Sequence, residues 1–124
     1  MKIRFVSSNK HKIEEVVTIL APVGVTVVPA PIKIEELQTE DVKRLVRDKL
    51  IKAFQQIGRP LFVEHTGLYI EALNGLPAGL TQIFWDNLEA DRFAAMVGNL
   101  SGSRLTAKRS WATATADRLI SSKA

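Results

Sequence analysis

Residues 61–79 read LFVEHTGLYIEALNGLPAG, an apolar run that ends in a carboxylate and an imidazole side by side, Glu64 and His65, just ahead of Thr66 and Gly67. A short run of Leu, Phe and Val bounded by turn residues reads as a buried strand. Open α/β proteins hold their ligands at the carboxyl end of such strands, because the strand is rigid and the crevice beyond it is wet. The plainer alternative is that both side chains simply leave the core there. The strand is expected over 61–65, with a turn at Thr66 and Gly67, an extended piece in LYIEAL and a second turn region in NGLPAG.

Working outward, the preceding helix is the clearest element. Val42, Leu45, Val46, Leu50, Ala53, Phe54 and Ile57 form an apolar stripe, Thr39 stands at the expected N-cap, and Gly58 and Pro60 close the helix. Further upstream, residues 2–6 read as a strand and SSNKHK as a polar turn. A helix follows with Ile13, Val16, Val17 and Leu20 on one face, stopped by Pro22 and Gly24, and Val25–Val28 form a second strand ended by Pro29 and Pro31. Downstream, Ile83, Phe84, Leu88, Phe93, Ala94 and Val97 give a helical pattern, as one bent helix or two. Beyond GNLSGS there is a strand near Arg104–Lys108 and then an Ala/Thr stretch without periodicity. The alternation predicts an α/β fold with a mixed sheet flanked by helices. A chain of 124 residues is expected to be a single domain over 1–124, with the regular pattern in 1–100 and a divergent tail in 101–124.

With 46% apolar and 24% charged residues the composition excludes wholesale disorder, and the absence of cysteine removes disulfide and thiol chemistry. That absence fits a reducing, cytoplasmic setting. KIRFV at residues 2–6 reads as a strand and not as a signal peptide, and no apolar run has the length of a membrane span. A net charge of +4 favours anionic partners, but the basic residues are spread along the chain. Phosphorylated small molecules remain open, while nucleic acid is supported by charge alone, without a recognised motif.

Several residues could carry chemistry. In SSNKHK, Ser7, Ser8 and Asn9 are good helix caps; a loop that opens a helix also presents free N–H groups to a phosphate, with Lys12 one turn on. Glu40 suits the positive end of a helix dipole, and paired with Glu64 it could hold a hard cation such as Mg²⁺ beside substrate phosphates. Lys52 is about 18 Å further along the same helix, so it would meet another part of a ligand, or solvent. His65 could be a base, a structural residue or a metal ligand. Tyr69, Phe84 and Trp85 could stack on a base or belong to the core.

Three motifs in order resemble the inosine triphosphate pyrophosphatase family. SSNKHK is similar to that family's [TS]-x-N-x-x-K entry, IEELQTEDVKRLVRDKLIKAF to its helix near a metal-binding glutamate, and FVEHTGLYIEALNGLPAG to its [ED]-D-[ST]-G-L segment with the following turn. The resemblance implies an α/β pyrophosphatase fold that hydrolyses non-standard purine nucleoside triphosphates such as ITP and XTP to the monophosphate and pyrophosphate, with Mg²⁺ as cofactor. It gives Ser7, Asn9 and Lys12 to phosphate, Lys52 to the substrate side, and Glu40 and Glu64 to the metal. His65 stands where the family has an aspartate that orients or deprotonates the attacking water. Glu64 for the metal and His65 for the water is the assignment it implies.

The later purine-reading segments of that family do not occur here, which implies a shortened fold with impaired catalysis. Residues 109–117 translated in another reading frame look more family-like, so a frameshift after Lys108 is an expectation. A shortened fold exposes apolar surface, and because relatives are dimeric a homodimer that buries Phe84, Trp85 or the 104–121 tail is expected. A nucleotide-binding or oligomerising module without turnover is the alternative from a different class.

Overall fold

The computed structural model describes residues 1–100, 102 and 104–115, together with the backbone of 119–123. Chain order is β1 (Lys2–Val6), α1 (Lys10–Leu20), β2 (Thr26–Ala30), α2 (Val42–Ile57), β3 (Leu61–Ile70), β4 (Leu76–Ala78), α3 (Thr81–Gly98), β5 (Leu105–Ala114) and β6 (Leu119–Lys123). The sheet runs β2-β1-β3-β5-β6, with β4 paired to β3 off that path. Pairings among β1, β2 and β3 are parallel, and those of β3 with β4 and β5, and of β5 with β6, are antiparallel. The sheet is therefore mixed, as the alternating pattern predicts.

Its pleat sorts the core into two layers. Val6, Leu61, Val63, Ala112 and Ala114 turn to α2 and pack with Leu45, Val46, Leu50 and Ala53. Phe5, Phe62 and Val27 turn to the other face and pack with Val16 of α1. There Phe5 and Phe62 stack at 4.6 Å between ring centroids, and Trp111 of β5 lies 5.8 Å from Phe62.

Several local expectations are corrected. The strand begun at Leu61 does not turn at Thr66 and Gly67. It continues to Ile70, because β5 pairs with it over its whole length, from Leu61–Ala114 to Ile70–Leu105. Gly67 serves a close approach instead: a Cβ there would stand 3.2 Å from the Ala78 carbonyl oxygen. The N-cap of α2 is Asp41, whose side chain accepts from the Arg44 N–H, and Thr39 instead caps the Asp41 N–H at 3.1 Å. Pro29 lies inside β2, where an edge strand tolerates its missing N–H. The α3 pattern is helical on both sides of a kink at Glu89, whose φ is 60°. The Ala/Thr stretch is the second half of β5, and its small residues Ala112 and Ala114 are buried under α2. Residues 116–118 of the expected dimer-covering tail lie outside the described residues. Among the described residues no helix is long and apolar enough to cross a membrane.

Candidate functional site

Beyond the carboxyl end of β1 and alongside the middle of β3 lies a cleft of about 600 Å³, walled by the SSN loop, by 32–38 between β2 and α2, by Glu64–Thr66 and by the start of α3. Asn9 caps α1, its Oδ1 accepting from the Lys12 N–H at 3.2 Å, and Ser7 Oγ accepts from the Asn9 N–H at 3.1 Å. The open N-terminus of α1 thus faces the cleft.

The pleat that sorts the core also separates Glu64 from His65. Glu64 follows Phe62 onto the α1 face; His65 follows Leu61 and Val63 onto the α2 face. The Glu64 side chain is 1% exposed, with Lys12 Nζ 2.9 Å from Oε2 and the Thr66 hydroxyl donating to Oε1 at 2.8 Å. On the opposite face Lys49 Nζ donates to Glu36 Oε1 at 3.3 Å and to the Glu64 carbonyl at 3.4 Å. His65 Nδ1 stands 4.0 Å from the same Glu36 oxygen, and Nε2 is buried without a hydrogen-bond partner. Burial holds the imidazole below its ordinary pKa, and the Lys49 and Lys12 charges act in the same direction against the opposing pull of Glu36 and Glu64. The site is a pair of lysine–glutamate couples flanking a neutral imidazole.

The cleft therefore gathers Ser7, Asn9, Lys12, Glu64 and His65 of the residues singled out from the sequence, but not Glu40 or Lys52. Glu40 is exposed beside the Asp41 cap. Lys52 pairs with Asp48 at 2.7 Å and donates to the Glu35 carbonyl at 3.2 Å, behind the loop that walls the cleft. Glu36 and Lys49 line the cleft instead. The loop is anchored by buried Ile34, which turns the next carboxylate but one into the cleft, and by Gly79, where any Cβ would collide with the Thr39 carbonyl. Lys49 was detectable in the sequence. It interrupts the apolar stripe of α2 between Val46 and Ala53, and a lysine in a core-facing stripe needs a polar partner.

Arg109 of β5 is a third unexpected member of this network. It grips Glu15 of α1 through two hydrogen bonds at 2.7 and 3.4 Å and lies 3.8 Å from Glu64 Oε2. The grip holds the Glu15 carboxyl below its ordinary pKa.

The family model of the Ham1 family matches residues 3–122. This chain belongs to the Ham1 family. Among curated relatives, it is 32% identical over 88 residues to a dITP/XTP pyrophosphatase of Methanopyrus kandleri, covering 71% of this chain and 47% of the relative. It is 38% identical over 84 residues to an inosine triphosphate pyrophosphatase of Tuber melanosporum, covering 68% of this chain and 45% of that protein. The matches thus span less than half the length of these relatives. A solved nucleoside-triphosphatase / dITP/XTP pyrophosphatase of Mycobacterium abscessus superposes with a TM-score of 0.75 at 22% identity, over 100% of this chain and 71% of that one. A HAM1 protein of Coxiella burnetii gives 0.76 at 20% identity, over 98% and 68%. The mixed α/β sheet flanked by helices that the sequence predicts is shared with these structures. Within this Ham1 chain the residues expected to follow a frameshift, 109–114, are the second half of β5 and pair in unbroken register with β3.

Proposed function

We propose that the cleft binds a purine nucleoside triphosphate together with a divalent cation and hydrolyses non-standard purine triphosphates such as ITP and XTP to the monophosphate and pyrophosphate. The observation that carries this is the convergence of the α1 N-terminus, Lys12 and Lys49 with two carboxylates in one cleft of a Ham1-family chain. Three phosphates bring more negative charge than one helix terminus compensates, and the two lysines lie on opposite faces of the sheet, suited to different phosphates.

Among the described residues no cluster of three or more His, Asp or Glu side chains forms a closed metal cage. Two carboxylates, Glu36 and Glu64, each now compensated by a lysine ammonium, fit a hard cation such as Mg²⁺ that keeps water and takes its remaining oxygens from phosphate. Glu36, beside His65, would be its principal protein ligand, with Glu64 the second acid. Bound there, the cation would neutralise phosphate charge and lower the energy of the developing oxyanion. Lys12 stabilises negative charge on the phosphates as water attacks the α-phosphorus and pyrophosphate departs, and neutral His65, with Nε2 free, accepts the proton of that water.

A nucleotide-binding module without turnover is the second reading, favoured by His65 itself, since a buried neutral imidazole supplies less negative charge to a cation than a carboxylate would. Trp85 and Leu105, 47% and 45% exposed, leave apolar surface for a second copy of this chain. We expect a homodimer, which light scattering across a dilution series tests. For the activity, pyrophosphate release from ITP, XTP and ATP is measured with and without Mg²⁺, alongside calorimetric binding. Release from ITP or XTP supports the enzyme; metal-dependent binding without release supports the module; neither would refute the nucleotide reading.

A further inference from the structure

Four charges alternate across the α1 side of the sheet: Glu15, Arg109, Glu64 and Lys12. Arg109 Nη1 donates to Glu15 Oε1 at 2.7 Å, and its Nη2 is divided between a long bond to Glu15 Oε2, 3.4 Å, and an approach of 3.8 Å to Glu64 Oε2. The latter is beyond hydrogen-bond reach. Glu64 Oε2 is also the one oxygen of that buried carboxylate without a hydrogen bond of acceptable geometry, although Lys12 Nζ is 2.9 Å away. The guanidinium is steadied from below by the Trp111 ring, 5.2 Å from its carbon to the ring centroid.

Lys12 has two duties that conflict. It neutralises Glu64, and in the nucleotide reading it also serves phosphate. In the metal-free protein, a triphosphate that drew the ammonium toward itself would leave a nearly inaccessible carboxylate short of a cation, which is strongly unfavourable. We propose that Arg109 is a positioning residue that takes over Glu64 when phosphate draws Lys12 away. A fork of five donors is suited to this: Nη1 keeps its short bond to Glu15 while Nη2 gives up the long one and closes on Glu64 Oε2. Glu15 then sets how readily the exchange occurs, because it competes for the same guanidinium. The inference rests on the assignment of Lys12 to phosphate.

Calorimetric titration with inorganic tripolyphosphate, without added metal, tests it in a double-mutant cycle. Arg109→Gln is expected to weaken binding about tenfold, and Glu15→Gln to tighten it about threefold in the wild-type background and not at all in the Arg109→Gln background. If the two charges acted only at long range, Glu15→Gln would tighten binding equally in both backgrounds, and that result would overturn the proposal. So would a Glu15→Gln protein that binds no more tightly than the wild type. Thermal unfolding confirms that each variant folds; should Arg109→Gln fail, Arg109→Lys takes its place, since one ammonium cannot serve both carboxylates. If the wild-type protein binds tripolyphosphate only with Mg²⁺, the cycle is read with Mg²⁺ present; if it binds neither way, the nucleotide reading falls and the exchange with it.

Discussion

Glu64 and His65 are neighbours in the chain and face away from each other in the fold: Glu64 is held at 2.9 Å by Lys12 from α1, and His65 lies 4.0 Å from Glu36 on the α2 side. Their carboxylate and imidazole cannot act as one chelating pair from a single face. They line two walls of a cleft, each with a lysine nearby.

The His65 imidazole is 4% exposed and its pKa is lowered by burial. Its protonated form is thus favoured in the unfolded chain, where the value is about 6.5. The unfolded state binds more protons once the pH drops through that value, so stability is full above it and declines as the pH falls from about 6.5 toward the folded-state value. The midpoint of urea unfolding should fall between pH 7.5 and pH 5.5, and His65→Asn should flatten that slope. An unchanged slope would show that other groups set the acid limb.

Glu36→Gln is expected to abolish the divalent-cation dependence of nucleotide binding, whereas Glu40→Gln should leave it within about twofold, because Glu40 is exposed outside the cleft. Isothermal titration with ATP or ITP, with and without Mg²⁺, reads both variants. Equal losses would return Glu40 to the site.

Lys12→Met removes the nearer cation from a carboxylate that is 1% exposed. A loss of about 1–3 kcal/mol is expected from chemical denaturation, less than for a wholly buried pair because Arg109 remains at hand. Adding Glu64→Gln should restore part of that stability without restoring phosphate binding. A double variant as unstable as Lys12→Met would mean that the lysine stem, and not its charge, carries the effect.

Ala78, buried against Gly67, has φ of 49° in the left-handed region. A Cβ is strained there, so Ala78→Gly should stabilise the protein by about 1 kcal/mol even though glycine raises the entropy of the unfolded chain. A lower melting temperature in this variant would count against strain at the β4 turn into α3.

The periodicities of the chain were sufficient for the mixed α/β class, for β1, α1 and α2, and for the strand carrying Glu64 and His65, since burial of an apolar face repeats at fixed spacing and leaves a local mark. The loop that caps α1 and lines the cleft, with Ser7, Asn9 and Lys12, was legible for the same reason: caps and helix termini are local. Gly67 and Pro29 misled because their usual punctuation was overridden by long-range pairing, ten registered residues of β5 in one case and an edge position in the other. Glu36 and Arg109 joined the cleft network only through packing, whereas Lys49 left a local mark in the sequence. Ile34 anchors Glu36 to the cleft, a break in a helical stripe admits Lys49, and Arg109 lies diagonally across the sheet from Glu64, where β5 pairs with β3. The family resemblance pointed to Glu40 and Lys52, but the direction of a side chain depends on what its neighbours bury against. That is a tertiary quantity: the pleat of β3 turns adjacent residues to opposite faces, and only the elements packed on those faces decide which charge each will meet.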